Sequence, residues 1–110
     1  MAYEVQQDRG LSIVLLTGDV DLSCSPDARK AILDCLESSQ NTMVDLSDVS
    51  YIDSSGVASL VEGYQTAKKK NLTFGLIGVS DPAMSVLELA RLDKVFPIYA
   101  DIEDCLKTDG

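Results

Sequence analysis

Short apolar segments recur along the chain, and in five places they have the length and composition of β-strands. Residues 11–17, LSIVLLT, are apolar and rich in β-branched side chains, as in a strand at the centre of a sheet. Pro97 interrupts the last segment, which restricts that segment to the edge of a sheet. The pattern therefore predicts four or five strands, at residues 3–8, 11–17, 42–47, 72–78 and 95–98.

Four other segments have apolar residues spaced three or four apart, which is the spacing of a helix face. Ser25-Pro26-Asp27 predicts a helix start with Ser25 as N-cap, and Ser80-Asp81-Pro82 predicts another. A third helix follows Asp53-Ser54-Ser55-Gly56, and a short one ends the chain. This order of elements predicts an α/β fold with a mixed sheet and helices packed mainly on one face. The predicted core faces are Ala28, Ile32, Cys35 and Leu36; Val57, Leu60, Val61, Tyr64 and Ala67; and Ala83, Val86, Leu87 and Ala90.

The helix that starts near Ser80 has apolar residues on more than one face, because Leu89 accompanies Val86, Leu87 and Ala90. Two interpretations are open. Burial of all four against the sheet is favoured, since helices that are apolar all round are buried ones. The alternative is that part of this surface is exposed and binds a partner.

The net charge and the absence of histidine exclude several classes of function. The chain has 110 residues, enough for one domain over residues 1–110, and a formal net charge of −9. Nucleic acids and anionic membrane surfaces bind clustered Lys and Arg, so we expect neither as a partner. The one basic run, Lys68-Lys69-Lys70, falls at a predicted helix C-terminus, where the helix dipole favours cations. The absence of His excludes triads and His-ligated metal sites, which favours a binding or regulatory module over an enzyme.

Cysteine usage and hydropathy predict the compartment. No C-x-x-C pair is present, so we expect reduced thiols in an intracellular protein. The sequence shows no signal peptide and no apolar run of about 20 residues, which predicts a soluble, cytoplasmic chain. The three widely spaced cysteines are Cys24, Cys35 and Cys105.

Clustered carboxylates raise the question of a metal site. Asp45, Asp48 and Asp53 could in principle hold Mg²⁺. Strand ends and turns commonly carry solvated acids, however, so we expect no metal here. No phosphate-cradling glycine pattern is present either, so we expect no cofactor, and any nucleotide must come with a partner.

The segment that carries most information about function is Val44–Val57, in which a strand ends and a helix begins. Ser54 or Ser55 is the predicted N-cap, and Gly56 is expected to leave the first turn open to another molecule. Free N–H groups and the helix dipole would favour a phosphate there, although Asp53 would repel it. On residue types alone, an ordinary cap is favoured over a modification site.

Over residues 3–106, the order of elements and three motifs make the chain resemble the STAS domain family, specifically the anti-sigma factor antagonists. The resemblance implies the STAS fold. Antagonists of this type bind an anti-sigma factor that is also a serine kinase of the GHKL type, which releases the sigma factor. The motifs are Leu16-Thr17-Gly18-Asp19-Val20-Asp21, Val44-Asp45-Leu46-Ser47 and, above all, Tyr51-Ile52-Asp53-Ser54-Ser55-Gly56-Val57.

The resemblance also implies which residues act. The kinase phosphorylates the serine that follows the motif aspartate, here Ser54, and a PP2C-type phosphatase removes the phosphate; Ser55 is the less favoured hydroxyl. Asp21 matches an acidic position of the partner-binding face, and Val57 stands where family members usually have Leu. No catalytic residue is expected. The expected partner-binding residues are Asp21, Asp53, Ser54, Ser55, Gly56 and Val57.

A second function stays open. STAS domains also serve as cytoplasmic subunits of Mla-type lipid-transport ABC systems, where they dock onto the ATPase. Residues 86–92 and 95–98 resemble those subunits as well. In that alternative, the motif hydroxyl supports the interface without being phosphorylated. A transporter-fused STAS domain is less favoured, because the sequence shows no membrane segment.

Overall fold

Five strands and four helices form along residues 3–109, the part of the chain that the computed structural model describes. In chain order the elements are β1 (Glu4–Asp8), β2 (Leu11–Val20), α1 (Ser25–Glu37), β3 (Asn41–Ile52), α2 (Ser54–Lys70), β4 (Phe74–Ile77), α3 (Asp81–Leu89), β5 (Ile98–Tyr99) and α4 (Ile102–Asp109). The sheet order is β1-β2-β3-β4-β5, with β1 antiparallel to β2 and the other pairs parallel. A tight turn suffices between antiparallel neighbours, whereas each parallel pair needs a crossover helix. The predicted mixed α/β sheet is confirmed.

The two faces of the sheet pack against different helices. Val14 and Val44, in the centre of β2 and β3, belong to the main core with α1, α2 and α3. Their neighbours Ile13 and Met43 point to the opposite face and pack with Cys105 of α4. This alternation follows from the two-residue period of a strand. Three helices thus cover one face and α4 covers the other, which confirms that the helices lie mainly on one side.

β3 is longer than its sequence pattern indicates. It continues to Ile52, whereas the predicted strand ends at residue 47. Its pairing with β2 shifts register twice, so the buried residues Leu46, Val49 and Ile52 are spaced three apart and not two. β4 pairs with β3 only as far as Asp45, so residues 17–20 and 48–52 project beyond β4 as a two-stranded ribbon. This β2–β3 ribbon carries the loops that lead into α1 and α2.

The structure corrects one of two predicted helix caps. The residue before α1 is Cys24, whose side chain makes no cap bond, while Ser25 is already helical and buried. The N–H groups of Cys24 and Ser25 donate to the carbonyl oxygen of Asp21 at 3.0 and 2.7 Å, so backbone bonds close this turn. Ser80 caps α3 as predicted, because its Oγ accepts from the N–H of Ala83 at 3.3 Å.

The predicted burial of Leu89 and Ala90 is wrong. α3 packs on the sheet through Ala83 and Leu87, which are both fully buried. Leu89 lies two residues further along, about 200° around the helix from Leu87, because each residue turns the helix by about 100°. It is 87% exposed, and Ala90 is exposed at the helix end. The other predicted core residues of the helices are buried or pack against the core.

The last predicted strand, residues 95–98, is reduced to Ile98–Tyr99. Phe96 turns into the core, where its ring meets that of Tyr64 edge-on, with the ring centroids 5.6 Å apart. Pro97 cannot donate a ladder hydrogen bond, but its carbonyl oxygen accepts from the N–H of Leu76 at 2.8 Å. The chain therefore joins the sheet only after the proline.

The last turn of α2 carries the basic run Lys68-Lys69-Lys70, as predicted. The Lys68 ammonium also lies 5.4 Å from the centroid of the Tyr64 ring, within the range of a cation–π contact. α2 is the longest of the described helices, with 17 residues. None of the helices along residues 3–109 is long and apolar enough to cross a membrane.

α1 and α2 approach each other closely at Gly63 of α2. A Cβ at this position would lie 2.7 Å from Cγ2 of Ile32 and 3.0 Å from Cε1 of Phe74. Both distances are shorter than ordinary contact between carbon atoms. Ile32 is fully buried, and the Phe74 ring packs against the rings of Tyr64 and Phe96, so neither side chain has room to move aside. Only glycine fits this helix crossing.

We expect Gly63→Ala to lower the free energy of unfolding by about 1 kcal/mol or more. Overpacking a core costs about 1–3 kcal/mol, which outweighs the roughly 1 kcal/mol that Ala gains over Gly inside a helix. Urea unfolding followed by circular dichroism measures the difference. The control is Gln65→Ala, at an exposed position of the same helix. Equal or greater stability of Gly63→Ala would contradict the close packing.

Candidate functional site

Three turns of the protein share one hydrogen-bonding device, an aspartate followed two residues later by a serine. In each turn the aspartate Oδ1 accepts from both the backbone N–H and the hydroxyl of that serine. The N–H bonds measure 3.0, 2.9 and 2.9 Å and the hydroxyl bonds 2.6 Å each. The spacing D-x-S alone does not identify this device, because Asp48-Val49-Ser50 has the same spacing and the Ser50 hydroxyl donates to Asp19 instead. The pairs are Asp21 with Ser23, Asp45 with Ser47 and Asp53 with Ser55.

The cap of α2 is Asp53, so the prediction that Ser54 or Ser55 caps this helix is wrong. Asp53 has extended backbone geometry just before the first helical residue, and its Oδ1 accepts from the N–H groups of Ser55 and Gly56 at 2.9 and 3.1 Å. Aspartate suits this position as well as serine does, and its charge adds a favourable interaction with the helix dipole. Two of the amides expected to attract a phosphate, those of Ser55 and Gly56, are therefore already occupied.

The two serines of the motif differ in what their hydroxyls do. Ser55 is half-buried, and its hydroxyl donates to the Asp53 carboxylate at 2.6 Å. Ser54 is exposed, and within residues 3–109 its hydroxyl has no hydrogen-bond partner. Ser54 also lies at the beginning of an open surface along α2 that extends as far as Lys69. The geometry therefore makes Ser54 the accessible hydroxyl.

Gly56 and Val57 do not form an open first turn, contrary to the expectation. Gly56 is buried, and a Cβ there would lie 2.7 Å from both the Val20 carbonyl oxygen and Cγ1 of Ile52. Val57 is 8% exposed and belongs to the main core. Both residues hold α2 against the end of the β2–β3 ribbon. Their contribution to the site is to position Ser54, and their own surfaces face inward.

The structure brings Asp21 and Asp53 together at the end of the β2–β3 ribbon. The Asp53 N–H donates to the Val20 carbonyl oxygen at 3.3 Å. Hydrogen bonds from the Ser55 hydroxyl and the Gly56 N–H hold the pKa of Asp53 below its usual value. The Ser23 hydroxyl and N–H lower the pKa of Asp21 in the same way, against a smaller opposing effect of Asp53. Both carboxylates are therefore ionised at neutral pH.

The two chain segments that form this end of the sheet carry acidic residues without any basic residue among them. Residues 10–28 and 40–61 contain no Lys or Arg. Asp19 and Asp48 are exposed on the β2–β3 ribbon, where Asp48 stands opposite Thr17. No cation in these two segments balances them. The aspartates of the two segments are Asp19, Asp21, Asp27, Asp45, Asp48 and Asp53.

Two exposed apolar residues at the same end were missed by the sequence analysis. Leu22 is 74% exposed in the turn between β2 and α1, and Tyr51 is 51% exposed near the end of β3. Leu22 had no distinguishing signal, because Leu46 in the same tripeptide D-L-S is fully buried. Tyr51 had none, because the register shifts that decide its direction cannot be read from the residue pattern.

The candidate Mg²⁺ ligands are not gathered into a metal site. Within the described part of the chain, no group of three or more acidic or cysteine side chains is placed to hold a metal ion. Asp45 bonds to Ser47, and Asp53 caps α2. The three cysteines, all among the described residues, form no disulfide.

Comparison with known proteins gives a match to one domain family and to several similar proteins. Residues 2–105 match the family model described as "STAS domain". The anti-sigma F factor antagonist of Paenibacillus polymyxa is 26% identical over 101 residues, which cover 90% of this chain and 86% of that protein. A crystal structure of an anti-sigma factor antagonist from Mycobacterium paratuberculosis has 29% identity and a TM-score of 0.86, over 97% of this chain and 92% of that one.

The phosphorylated form of the Bacillus cell fate determinant SpoIIAA is a further structural neighbour. It has a TM-score of 0.75 and 17% identity, and the match covers 99% of this chain and 100% of the SpoIIAA chain. At this identity the likeness concerns the fold. A protein with this fold, SpoIIAA, therefore exists in a phosphorylated form.

We expect Asp53→Ala to lower the free energy of unfolding at neutral pH, because α2 loses its cap. The pKa of Asp53 is depressed in the folded chain, so its stabilisation is present above the unfolded aspartate pKa of about 3.9 and is lost as the pH falls through the lowered value. Urea midpoints of wild type and variant should converge in acid. Asp48→Ala, which removes an exposed carboxylate without a cap bond, is the control. A difference that stays constant with pH would contradict this role.

Proposed function

Because the chain belongs to the STAS domain family, we propose that it is an anti-sigma factor antagonist switched by phosphorylation of Ser54. In this proposal the unphosphorylated chain binds an anti-sigma factor that is also a GHKL-type serine kinase, which frees a sigma factor in the cytoplasm. Phosphorylation of Ser54 by that kinase breaks the complex, and a PP2C-type phosphatase restores the binding form. The chain itself is a substrate and a ligand, not a catalyst.

The observation that carries the proposal is the different state of the two neighbouring hydroxyls. A kinase must place the acceptor oxygen in line with the γ-phosphate, so the hydroxyl has to be exposed and free to turn. Ser54 meets both conditions, whereas the Ser55 hydroxyl donates to the Asp53 carboxylate. Transfer to Ser55 would first break a bond of the α2 cap. Asp53 thereby directs the reaction to Ser54.

The surroundings of Ser54 explain how a phosphate would act. A phosphoryl group adds about −1.5 to −2 charges at pH 7, and in an interface it must lose much of its hydration. The Ser55 and Gly56 amides already donate to Asp53, so they cannot stabilise the new charge. The phosphate would therefore stay on the surface beside Asp53, where desolvation and repulsion oppose partner binding. The fold has no reason to change.

The relatives support this function by name. The matched proteins of Paenibacillus polymyxa and Mycobacterium paratuberculosis are both named anti-sigma factor antagonists, and each match spans most of both chains. SpoIIAA, which has the same fold, is known in a phosphorylated form. The kinase and the phosphatase of this chain are inferred from that role.

One observation bears on the alternative function, docking onto the ATPase of an Mla-type lipid-transport system. Leu89, within the stretch that resembles such subunits, is 87% exposed at the end of α3. Leu89 ends α3, whereas Ser54 begins α2, so a substitution at each position tests its part in binding independently. Binding to an ABC ATPase that survives Ser54→Ala and is lost in Leu89→Ser would favour the alternative.

Incubation with the anti-sigma kinase of the same organism and ATP should add one phosphate, on Ser54. Tandem mass spectrometry locates the modified residue. Ser54→Ala should accept none. Ser55→Ala is the matched control and should still be modified at Ser54, because the N–H groups of Ser55 and Gly56 keep the cap. Phosphate on Ser55 of the wild-type chain would contradict the assignment.

Ser54→Asp should weaken binding to the same kinase at least about tenfold, which corresponds to about 1.4 kcal/mol. Because Ser54 is exposed, the free energy of unfolding should stay within about 0.5 kcal/mol of wild type. Calorimetric titration and urea unfolding give the two quantities. Retained tight binding would rule out a charge at Ser54 as the switch. A large loss of stability would mean that the charge acts through the fold.

A further inference from the structure

Two of the most exposed apolar side chains lie on the segments that meet at the start of α2: Tyr51 is three residues before Ser54, and Leu22 follows Val20, whose carbonyl oxygen accepts from the Asp53 N–H. Only five large apolar residues in the described part of the chain are exposed, and Leu22 and Tyr51 are the two at this end of the sheet. Scattered apolar residues on a surface need no explanation, but exposed ones clustered around a modifiable hydroxyl indicate an interaction site. We use the name docking patch for Leu22, Tyr51 and Ser54.

The backbone around Leu22 is fixed by hydrogen bonds on both sides. Asp21 accepts from the N–H and the hydroxyl of Ser23, at 3.0 and 2.6 Å, which closes the turn around Leu22. The Asp53 N–H donates to the Val20 carbonyl oxygen at 3.3 Å, which joins the strand end before this turn to the start of α2. A side chain presented by a preorganised turn loses little conformational entropy when a partner binds it.

Tyr51 is held in place by its strand. It pairs with Asp19 across the β2–β3 ribbon, and Val49 and Ile52 on either side of it are anchored in the main core. Tyrosine combines a large apolar ring with a hydroxyl and is enriched among the residues that dominate binding energy. The exposed ring of Tyr51 is therefore available to contact a partner.

Charge around the docking patch selects the kind of partner. Asp19 and Asp48 are exposed on the same ribbon, Asp21 and Asp53 adjoin Leu22, and neither segment contains a cation. Nucleic acids and anionic lipids are repelled by such a surface. A second copy of this chain would set like charges against each other. A protein surface rimmed by Lys or Arg is complementary to it.

We infer that the docking patch binds a protein face in which an apolar pocket is rimmed by basic side chains. Leu22 and Tyr51 enter the pocket and supply most of the affinity, while Asp19 and Asp48 steer the encounter. Ser54 lies at the border of the apolar contact, where a phosphoryl group would have to be desolvated. This inference rests on the proposed function, because it describes the surface by which the anti-sigma kinase holds the chain.

The two kinds of residue should affect different rate constants. Removal of an apolar anchor speeds dissociation, whereas removal of an exposed charge slows association and weakens its salt dependence. Surface plasmon resonance with the purified kinase, at low and high salt, separates the two effects. Leu22→Ser and Tyr51→Ser should each bind at least about tenfold more weakly through faster dissociation. Asp19→Asn with Asp48→Asn should associate about threefold or more slowly at low salt.

Matched controls lie on α3. Leu89→Ser makes the same substitution at an 87% exposed leucine, and Glu88→Gln neutralises an exposed acid. Both should bind like wild type. Leu22 and Tyr51 are exposed, so their variants should unfold at the wild-type urea midpoint, and that measurement shows that lost binding is not lost folding.

The results distinguish the docking patch from the proposed function. If Leu22→Ser and Tyr51→Ser bind like wild type while Ser54→Asp does not, the proposed function stands and the docking patch is wrong. If Leu89→Ser weakens binding and the patch variants do not, the interface lies on α3. Self-association of the wild-type chain that Leu22→Ser abolishes would assign the patch to a second copy. A wild-type chain that neither binds the kinase nor is phosphorylated overturns the proposed function itself.

Discussion

One carboxylate oxygen organises the end of the molecule where its polar groups converge. Oδ1 of Asp53 accepts from two backbone N–H groups and one hydroxyl, and these bonds determine where α2 begins. They occupy the Ser55 hydroxyl, whereas Ser54 stays exposed. The helix start and the difference between the two serines thus depend on a single acceptor.

The sequence predicted the order of elements well because the apolar pattern is strong where the sheet is regular. It predicted the Ser80 cap because the short loop before Pro82 offers few other good cap residues. It misassigned the cap of α2 because Asp53, Ser54 and Ser55 are all good cap residues, and only the backbone geometry selects among them. Local chemistry decides a cap only when the candidates are few.

Long-range contacts account for the other differences. The strand β3 was predicted too short, since its register shifts against β2 replace a two-residue period by a three-residue one. Gly56 was interpreted as an opening for a partner, but it is required by a carbonyl oxygen of Val20, which is distant in sequence. Asp21 and Asp53 were both placed in the site through a family resemblance, and the structure shows their turns in contact. Periodicity could not have joined them.

The occupied amides at the start of α2 bear on how fast a phosphate on Ser54 would be removed. A phosphate bound by a helix N-terminus would have to be pulled out of its bonds before hydrolysis. Here Asp53 holds those amides, so a phosphate on Ser54 would make no internal bonds to the Ser55 and Gly56 N–H groups. The phosphate would add charge beside Asp53 without gaining a bond to those two amides. The lifetime of the phosphoserine would then be set by the phosphatase, because the Ser55 and Gly56 amides would not slow its removal.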